Sequence, residues 1–283
     1  MTPEAALAAA LQPALRGSVR CQIGVAVSGG GDSLALLYLT AEWAAANSVP
    51  IHAATVDHGL RPEAAAEAAG VARHCAGLGI PHQTLRWTGW DGQGNVQDQA
   101  RQARRRLLTE WAQTSGLEVV LLGHTADDQA ETVLMRLARG SGVDGLAGMG
   151  AHDPSGLFLR PLLPVRRAAL RDWLRARGLT WVEDPSNDDP RYDRVKARQM
   201  LGLLAPLGLT IDRLTETAAH MQRAQITLRE MARHLARSDV QADAGDLILS
   251  PRILRGEDDA ARRVLSAAVQ WIWNTPHRPP PAP

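Results

Sequence analysis

The chain is almost devoid of lysine: Lys196 is the only one among 31 basic residues. Arginine therefore supplies nearly all the positive charge. Genome composition alone can produce such a bias, so arginine counts do not by themselves indicate phosphate binding. Cysteine is nearly as scarce. Cys21 and Cys75 lie far apart and form no C-x-x-C pair, which argues against a disulfide framework, a zinc ribbon or an iron–sulfur cluster and leaves both as core thiols. Hydrophobic residues make up 45% of the 283, yet no apolar run approaches the ~18 residues of a membrane span. Segment 1–15 is Ala-rich, carries Glu4 and lacks a basic leader ahead of an apolar block. It does not read as a signal peptide, and a cytoplasmic address is expected. A net charge of +1 gives no global nucleic-acid signature, so any RNA contact must come from local patches. There are no internal repeats.

What the chain does have is an alternation of short β-branched apolar runs with longer helical patterns. That is the βαβ signature of a parallel sheet with helices on both faces. Strands are expected at 23–27, 52–57, 82–87, 118–123 and 157–162, and helices at 33–46, 62–77, 96–115 and 125–138. The expected fold class is α/β: a doubly wound parallel sheet over 1–188, a basic linker helix within 189–208, a smaller helical domain at 209–275 and a Pro-rich flexible end at 276–283. Length supports one α/β domain plus a smaller attachment.

In such a sheet ligands sit beyond the carboxyl ends of the strands. Three of these ends are polar and small. The first strand runs into Ser28, Gly29, Gly30, Gly31, Asp32 and Ser33; the second ends in Asp57, His58, Gly59, Leu60 and Arg61; the fourth is followed by Gly123, His124, Thr125, Ala126, Asp127 and Asp128. The first loop opens a helix, so backbone amides and the helix dipole make it an anion site. Glycines allow close approach of phosphate, the two serines donate hydrogen bonds, and Asp32 is suited to Mg²⁺ held between phosphate oxygens. A P-loop would require G-x-x-x-x-G-K-[ST] and a dinucleotide fingerprint G-x-G-x-x-G; neither is present.

The loop Ser28 to Ser33 instead resembles the S-G-G-x-D-S signature of PP-loop ATP pyrophosphatases, which grip pyrophosphate and leave the α-phosphorus open to attack. Within that superfamily the chain resembles the tRNA(Ile)-lysidine synthases. The resemblance runs from Ile23 to about Arg198 and is carried by Val56 to Arg61, Ala100 to Arg104, Gly123 to Thr132, Arg139 to Gly142 with Gly145 and Leu146, and Asp184 to Asn187. It implies an ATP-dependent ligase that adenylates C2 of the wobble cytidine of a tRNA(Ile) with a CAU anticodon. The amine of free L-lysine then displaces AMP to give lysidine. ATP and Mg²⁺ are the implied cofactors. ATP contacts fall on Ser28, Gly29, Gly30, Gly31, Asp32, Ser33, Asp57, His58, Gly123 and His124, and metal contacts on Asp32 and Asp128.

A free amine with a pKa near ~10.4 must be attracted as a cation and then stripped of a proton before it attacks. His124, Asp127 and Glu131 are the candidates for lysine. Asp127 and Glu131, i and i+4 on one helix face, are expected to handle the ammonium or its proton, with Asp128 turned aside toward the nucleotide. The competing reading makes Asp127 and Asp128 helix N-terminal carboxylates and Glu131 a solvated residue. Arg101 and Arg104, i and i+3, are placed to stabilise the α-phosphate or clamp tRNA phosphate; the competing reading makes the run Arg104 to Arg106 a solvated face. His58 serves the nucleotide or caps a turn, and segment 139–150 is either a loop that orders over substrate or a passive linker. Trp87 and Trp90, at and after the third strand, are the tryptophans best placed to stack a base. Two departures from the family pattern stand out: Arg105 replaces an aromatic and Val195 an asparagine. The alternatives are a PP-loop tRNA thiolase, which two cysteines outside the loops support poorly, and a catalytically silent RNA-binding protein of the same fold.

Overall fold

The structure is a computed structural model, and it describes residues 1–15, 21–59, 63–88, 95–183, 191, 193–243, 246–256 and 258–273. The expected Leu60 and Arg61 contacts, the 184–187 motif, Trp90 and the 276–283 end lie outside these residues. Two compact units emerge, Met1–Gly140 with Gly148–Glu216 and Ser141–Ala147 with Thr217–Pro283.

The first unit is built on five parallel strands: β1 (Ile23–Ala26), β2 (Ile51–Asp57), β3 (His82–Arg86), β4 (Val119–Leu122) and β5 (Phe158–Leu159), in the order β3-β2-β1-β4-β5. Alternate residues of each strand point to opposite faces. Val119 and Leu121 join Ile23, Val25 and Ala53 in a core covered by α1 (Pro3–Leu15), α2 (Gly31–Asn47), α3 (Ala64–Gly77) and α7 (Arg167–Ala176). Val120 and Leu122 face the other way, with Ala26, Ala54 and Phe158, onto Leu108, Trp111 and Ala112 of α4 (Val96–Thr114). α1 is held by Leu7 and Leu11, both buried; each fully buried leucine contributes about 1.5–3 kcal/mol. The fifth strand is shorter than expected. Pro161 follows it almost at once and lacks the amide a continued ladder needs.

This order puts the switch point between β1 and β4, which pair in register from Ile23 opposite Val119. The loops leaving both strands open helices at that point, α2 and α5 (Ala126–Ala138). Here open α/β sheets bind their ligands. α8 (Asp193–Leu204) packs against α5 inside this unit.

The second unit contains α6 (Val143–Leu146), most of α9 (Ile211–Asp239), the antiparallel pair β6 (Val240–Asp243) and β7 (Asp246–Leu249), α10 (Pro251–Arg255) and α11 (Asp259–Trp273). Ala232, Leu235, Ile253, Ala261 and Val264 form its core. Asp144 anchors α6, accepting from Gln225 at 2.7 Å and pairing with Arg263 at 2.7 Å. The unit is helical as expected, apart from the short strand pair.

Candidate active site

The loop after β1 is wound on itself. Ser33 Oγ accepts from the Ser28 amide at 3.1 Å, lies 3.1 Å from Ser28 Oγ and donates to the Gly30 carbonyl at 2.9 Å. Gly29 sits at φ +91°, a conformation that side-chain-bearing residues avoid. The N-cap residue of α2 is Gly30, which has no side chain to cap the helix, and first-turn amides without a partner inside the helix suit an anion. Trp181 leans over the loop: its indole is 3.3 Å from where a β-carbon would stand on Gly31, and the Val182 amide donates to the Gly29 carbonyl at 3.2 Å.

The loop after β4 is locked differently. Thr125 and Asp128 form a reciprocal capping box, with Asp128 Oδ2 accepting from the Thr125 amide and hydroxyl, each at 2.8 Å. α5 thereby begins at a fixed point and carries Asp127, Asp128 and Glu131 toward Asp32.

What joins the two loops is Arg167, at the first position of α7. Its Nε donates to Asp32 Oδ2 at 2.9 Å, Nη2 to Asp128 Oδ1 at 3.0 Å and Nη1 to Glu131 Oε1 at 3.4 Å, while its backbone amide donates to Asp127 Oδ2 at 2.7 Å. Asp127 thus caps α7, whose N-terminus has no cap of its own. The expected division of faces is corrected by this geometry. Asp128 does not turn aside but shares the guanidinium with Glu131, since i and i+3 are helix neighbours as much as i and i+4. It is Asp127 that turns to α7.

Glu131 is not solvated. Its side chain is 1% exposed, Oε1 also accepts from Arg198 Nε at 3.0 Å, and Oε2 is buried without a hydrogen-bond partner among the described residues. Burial, together with the neighbouring Asp128 and Asp127, pushes the Asp32 carboxyl above its usual range despite Arg167. Burial acts the same way on Asp128, but there Arg167 and the Thr125 amide prevail and hold the carboxyl low. The Arg167 guanidinium, facing Asp128, Asp32 and Glu131, is held charged against its burial.

Beside this acidic group lies a basic one. Burial and the nearby Arg101 and Arg194 lower the Arg104 pKa below the usual guanidinium range. His124 is held neutral by burial, with Arg104, Arg160 and Arg194 reinforcing that against Asp128; its Nδ1 is buried and has no hydrogen-bond partner among the described residues. His58, likewise lowered by burial and by Arg104, packs edge-on against Trp87 with ring centres 5.9 Å apart. Its neighbour Asp57 accepts from the Gly59 amide at 2.9 Å, closing its own turn. Trp87 is buried. Arg105 lies over Phe158, 5.1 Å from the ring centre, and pairs with the buried Asp153, so this departure from the family pattern serves the β5 region. Val195 is buried.

In segment 139–150, Met149 donates to Gln129 Oε1 at 2.7 Å and accepts from Gln129 Nε2 at 3.0 Å, while Arg136 donates to the Gly148 carbonyl at 3.0 Å. Among the described residues no three His, Cys, Asp or Glu side chains are arranged around a metal. Mg²⁺ ordinarily binds through one or two carboxylates plus substrate phosphates, and Asp32, an oxygen donor on the first turn of α2, fits that pattern.

Sequence reasoning missed Arg167, Trp181, Arg160 and Arg136. A signal for Arg167 was present: Arg166 and Arg167 follow a short strand and open a helix, the same position in a βα unit that drew attention to the other loops.

A family model described as a PP-loop domain matches residues 3–204. Among curated proteins the chain is similar to tRNA(Ile)-lysidine synthases. It is 55% identical over 254 residues to that of Ruegeria pomeroyi, covering 89% of this chain and 61% of the relative, and 40% identical over 258 residues to that of Zymomonas mobilis, covering 89% and 76%. The chain spans between 50% and 66% of the length of four such relatives. Among solved structures it is similar in fold to a U34-tRNA thiolase from Methanococcus maripaludis with its [4Fe-4S] cluster, with TM-score 0.63 and 18% identity over 81% of this chain and 78% of that one.

Proposed function

The chain belongs to the tRNA(Ile)-lysidine synthase family of PP-loop proteins, and from that premise we propose that it activates C2 of the wobble cytidine of tRNA(Ile) with ATP and joins free L-lysine to it. The observation that carries this reading is the bridge from Asp32 through Arg167 to Asp128 and Glu131, which makes the anion-binding loop and the carboxylate group one continuous site.

The chemistry divides between them. The amides of the Ser28 to Ser33 loop would hold the β- and γ-phosphates, leaving the α-phosphorus facing the base. Arg104, flanked by Arg101 and Arg194, would take charge that builds on the α-phosphate as the cytidine oxygen attacks and pyrophosphate departs. Asp32 would hold Mg²⁺, which screens phosphate charge when bound. In the second step the ε-amine of lysine attacks C2 and AMP leaves. Glu131, with a buried oxygen free, is the group best placed to draw in the ammonium and accept its proton. Asp127 and Asp128, committed to the α7 and α5 N-termini, would hold the frame. The helical second unit would contact tRNA away from the reacting base, as selection of one anticodon requires.

The thiolase reading is weaker. Burial pushes both the Cys21 and Cys75 thiols up to about 11, so neither supplies a thiolate near neutral pH.

The test follows AMP and pyrophosphate release from ATP with a CAU-anticodon tRNA(Ile), with and without labelled lysine. Lysine incorporation into that tRNA and not into methionine tRNA supports the proposal. ATP cleavage without incorporation reopens the choice of nucleophile, and no tRNA-dependent cleavage points to the silent RNA-binding alternative.

A further inference from the structure

We infer that Arg167 is a latch that makes lysine binding depend on prior binding of nucleotide. Its guanidinium occupies the place a substrate ammonium would take: it is 15% exposed, and its three nitrogens contact Asp32, Asp128 and Glu131, which stand on two different helices. An incoming cation would find Asp128 already saturated, with Oδ2 on Thr125 and Oδ1 on Arg167. It would find Glu131 Oε1 shared by Arg167 and Arg198. Of the four oxygens of these two carboxylates, Glu131 Oε2 is buried and has no hydrogen-bond partner among the described residues. Leaving a carboxylate oxygen buried and unpaired is costly, so the site is shaped to receive one further donor.

Nucleotide changes the balance of these contacts. Phosphates at the N-terminus of α2 lie beside Asp32 and present oxyanions that a guanidinium binds in a bidentate fork. As Asp32 turns to the divalent cation accompanying the nucleotide, the Nε contact is lost and the phosphates compete for the rest of the guanidinium. Asp128 Oδ1 and the Glu131 carboxylate, whose Oε1 Arg198 still holds, would then meet a lysine with less positive charge opposing it. A ligand shifts such an equilibrium only by its differential affinity for the two arrangements; here the difference is an exchange of Arg167 from carboxylate to phosphate. Arg167 is a positioning residue in this scheme, and its backbone contact to Asp127 does not involve the guanidinium that moves.

The experiment measures equilibrium binding of labelled L-lysine to the full chain, with and without α,β-methylene-ATP and Mg²⁺. In the wild type the nucleotide analogue is expected to tighten lysine binding roughly tenfold or more, within the ordinary range of coupling. In Arg167→Ala lysine should bind almost equally in both conditions, because nothing blocks the carboxylates in the absence of nucleotide. Arg167→Gln, close in length and uncharged, repeats the test if the alanine variant does not fold, as judged by near-UV circular dichroism. Full coupling retained in a folded variant, or no coupling in the wild type, overturns the latch. The inference rests on the lysine reading above: no lysine binding in any state removes that reading and the latch together, whereas lysine binding indifferent to nucleotide removes the latch alone.

Discussion

A β-carbon added to Gly123 would stand 3.0 Å from Ser33 Cα and 3.1 Å from the Ser33 nitrogen and the Asp32 carbonyl oxygen. The end of β4 and the first turn of α2 are therefore in backbone contact at the sheet's switch point, and the nucleotide loop has no room to shift toward β4. Gly123→Ala is expected to cost about 1–3 kcal/mol by overpacking and to lower pyrophosphate release beyond what the loss of folded protein explains. Thermal denaturation and initial rates measured together check this; wild-type values for both would show that the contact is not limiting.

Asp32→Ala should remove adenylation, measured as tRNA-dependent pyrophosphate release, by ~10²-fold or more, the scale of losing one preorganised charge contact. Glu131→Gln should leave that release largely intact and slow lysine incorporation by ~10²-fold or more, as expected for a general base. If Glu131→Gln loses both steps equally, the separation of nucleotide and amine chemistry along the Arg167 bridge is wrong.

Arg104 is half-buried beside Arg101 and Arg194, and both of these disfavour its charge. Such strain is tolerated where an anion is to be received. Arg104→Met is expected to raise stability by roughly 0.5–2 kcal/mol, the common size of a relieved functional site, while lowering ATP turnover. Urea unfolding of the variant at low ionic strength measures the first effect, and a destabilised variant would speak against an anion site there.

Stability should fall as pH drops below the ordinary histidine range. His124, His58, His74 and His82 all have pKa values lowered chiefly by burial. Below an unfolded pKa near ~6.5 the unfolded chain binds protons that the folded chain refuses, so unfolding gains ground as pH falls and the folded state is favoured above that value. His124→Gln should flatten the slope between pH 7 and 5 in denaturant titrations. An unchanged slope would mean that His124 takes up its proton equally in the folded and unfolded chains.

The double variant Cys21→Ala, Cys75→Ala should keep tRNA-dependent pyrophosphate release at a temperature where it is folded. Both thiols are buried, and neither belongs to the loops that surround Asp32. Loss of activity in a folded double variant would revive a sulfur-transfer reading.

Much of this was legible along the chain. Strand alternation placed four of the five strands to within a residue or so at each end, and the polar ends of β1 and β4 identified the loops that meet at Asp32 and Asp128. Helix α2 begins earlier than its apolar pattern indicates, at Gly31, because glycine weakens a helix interior but is tolerated at an N-terminus. α1 drew no helix expectation from its alanines. Its position follows from Leu7 and Leu11 packing into the core that α1 shares with α2, a contact that exists only once that core has formed.

The sequence by itself determined the fold class, the nucleotide loop and the set of carboxylates near it, because periodicity, turn chemistry and short motifs are encoded within a few residues of one another. The tertiary structure alone decided how those carboxylates are used. Arg167 lies 135 positions from Asp32 and meets it because β5 joins the sheet next to β4 and delivers the start of α7 to the same edge. No local pattern specifies that meeting. Which oxygen is satisfied, and which is left buried and free on Glu131, depends on the order of strands in the sheet, since ion pairs are fixed by distance in space and not by spacing along the chain.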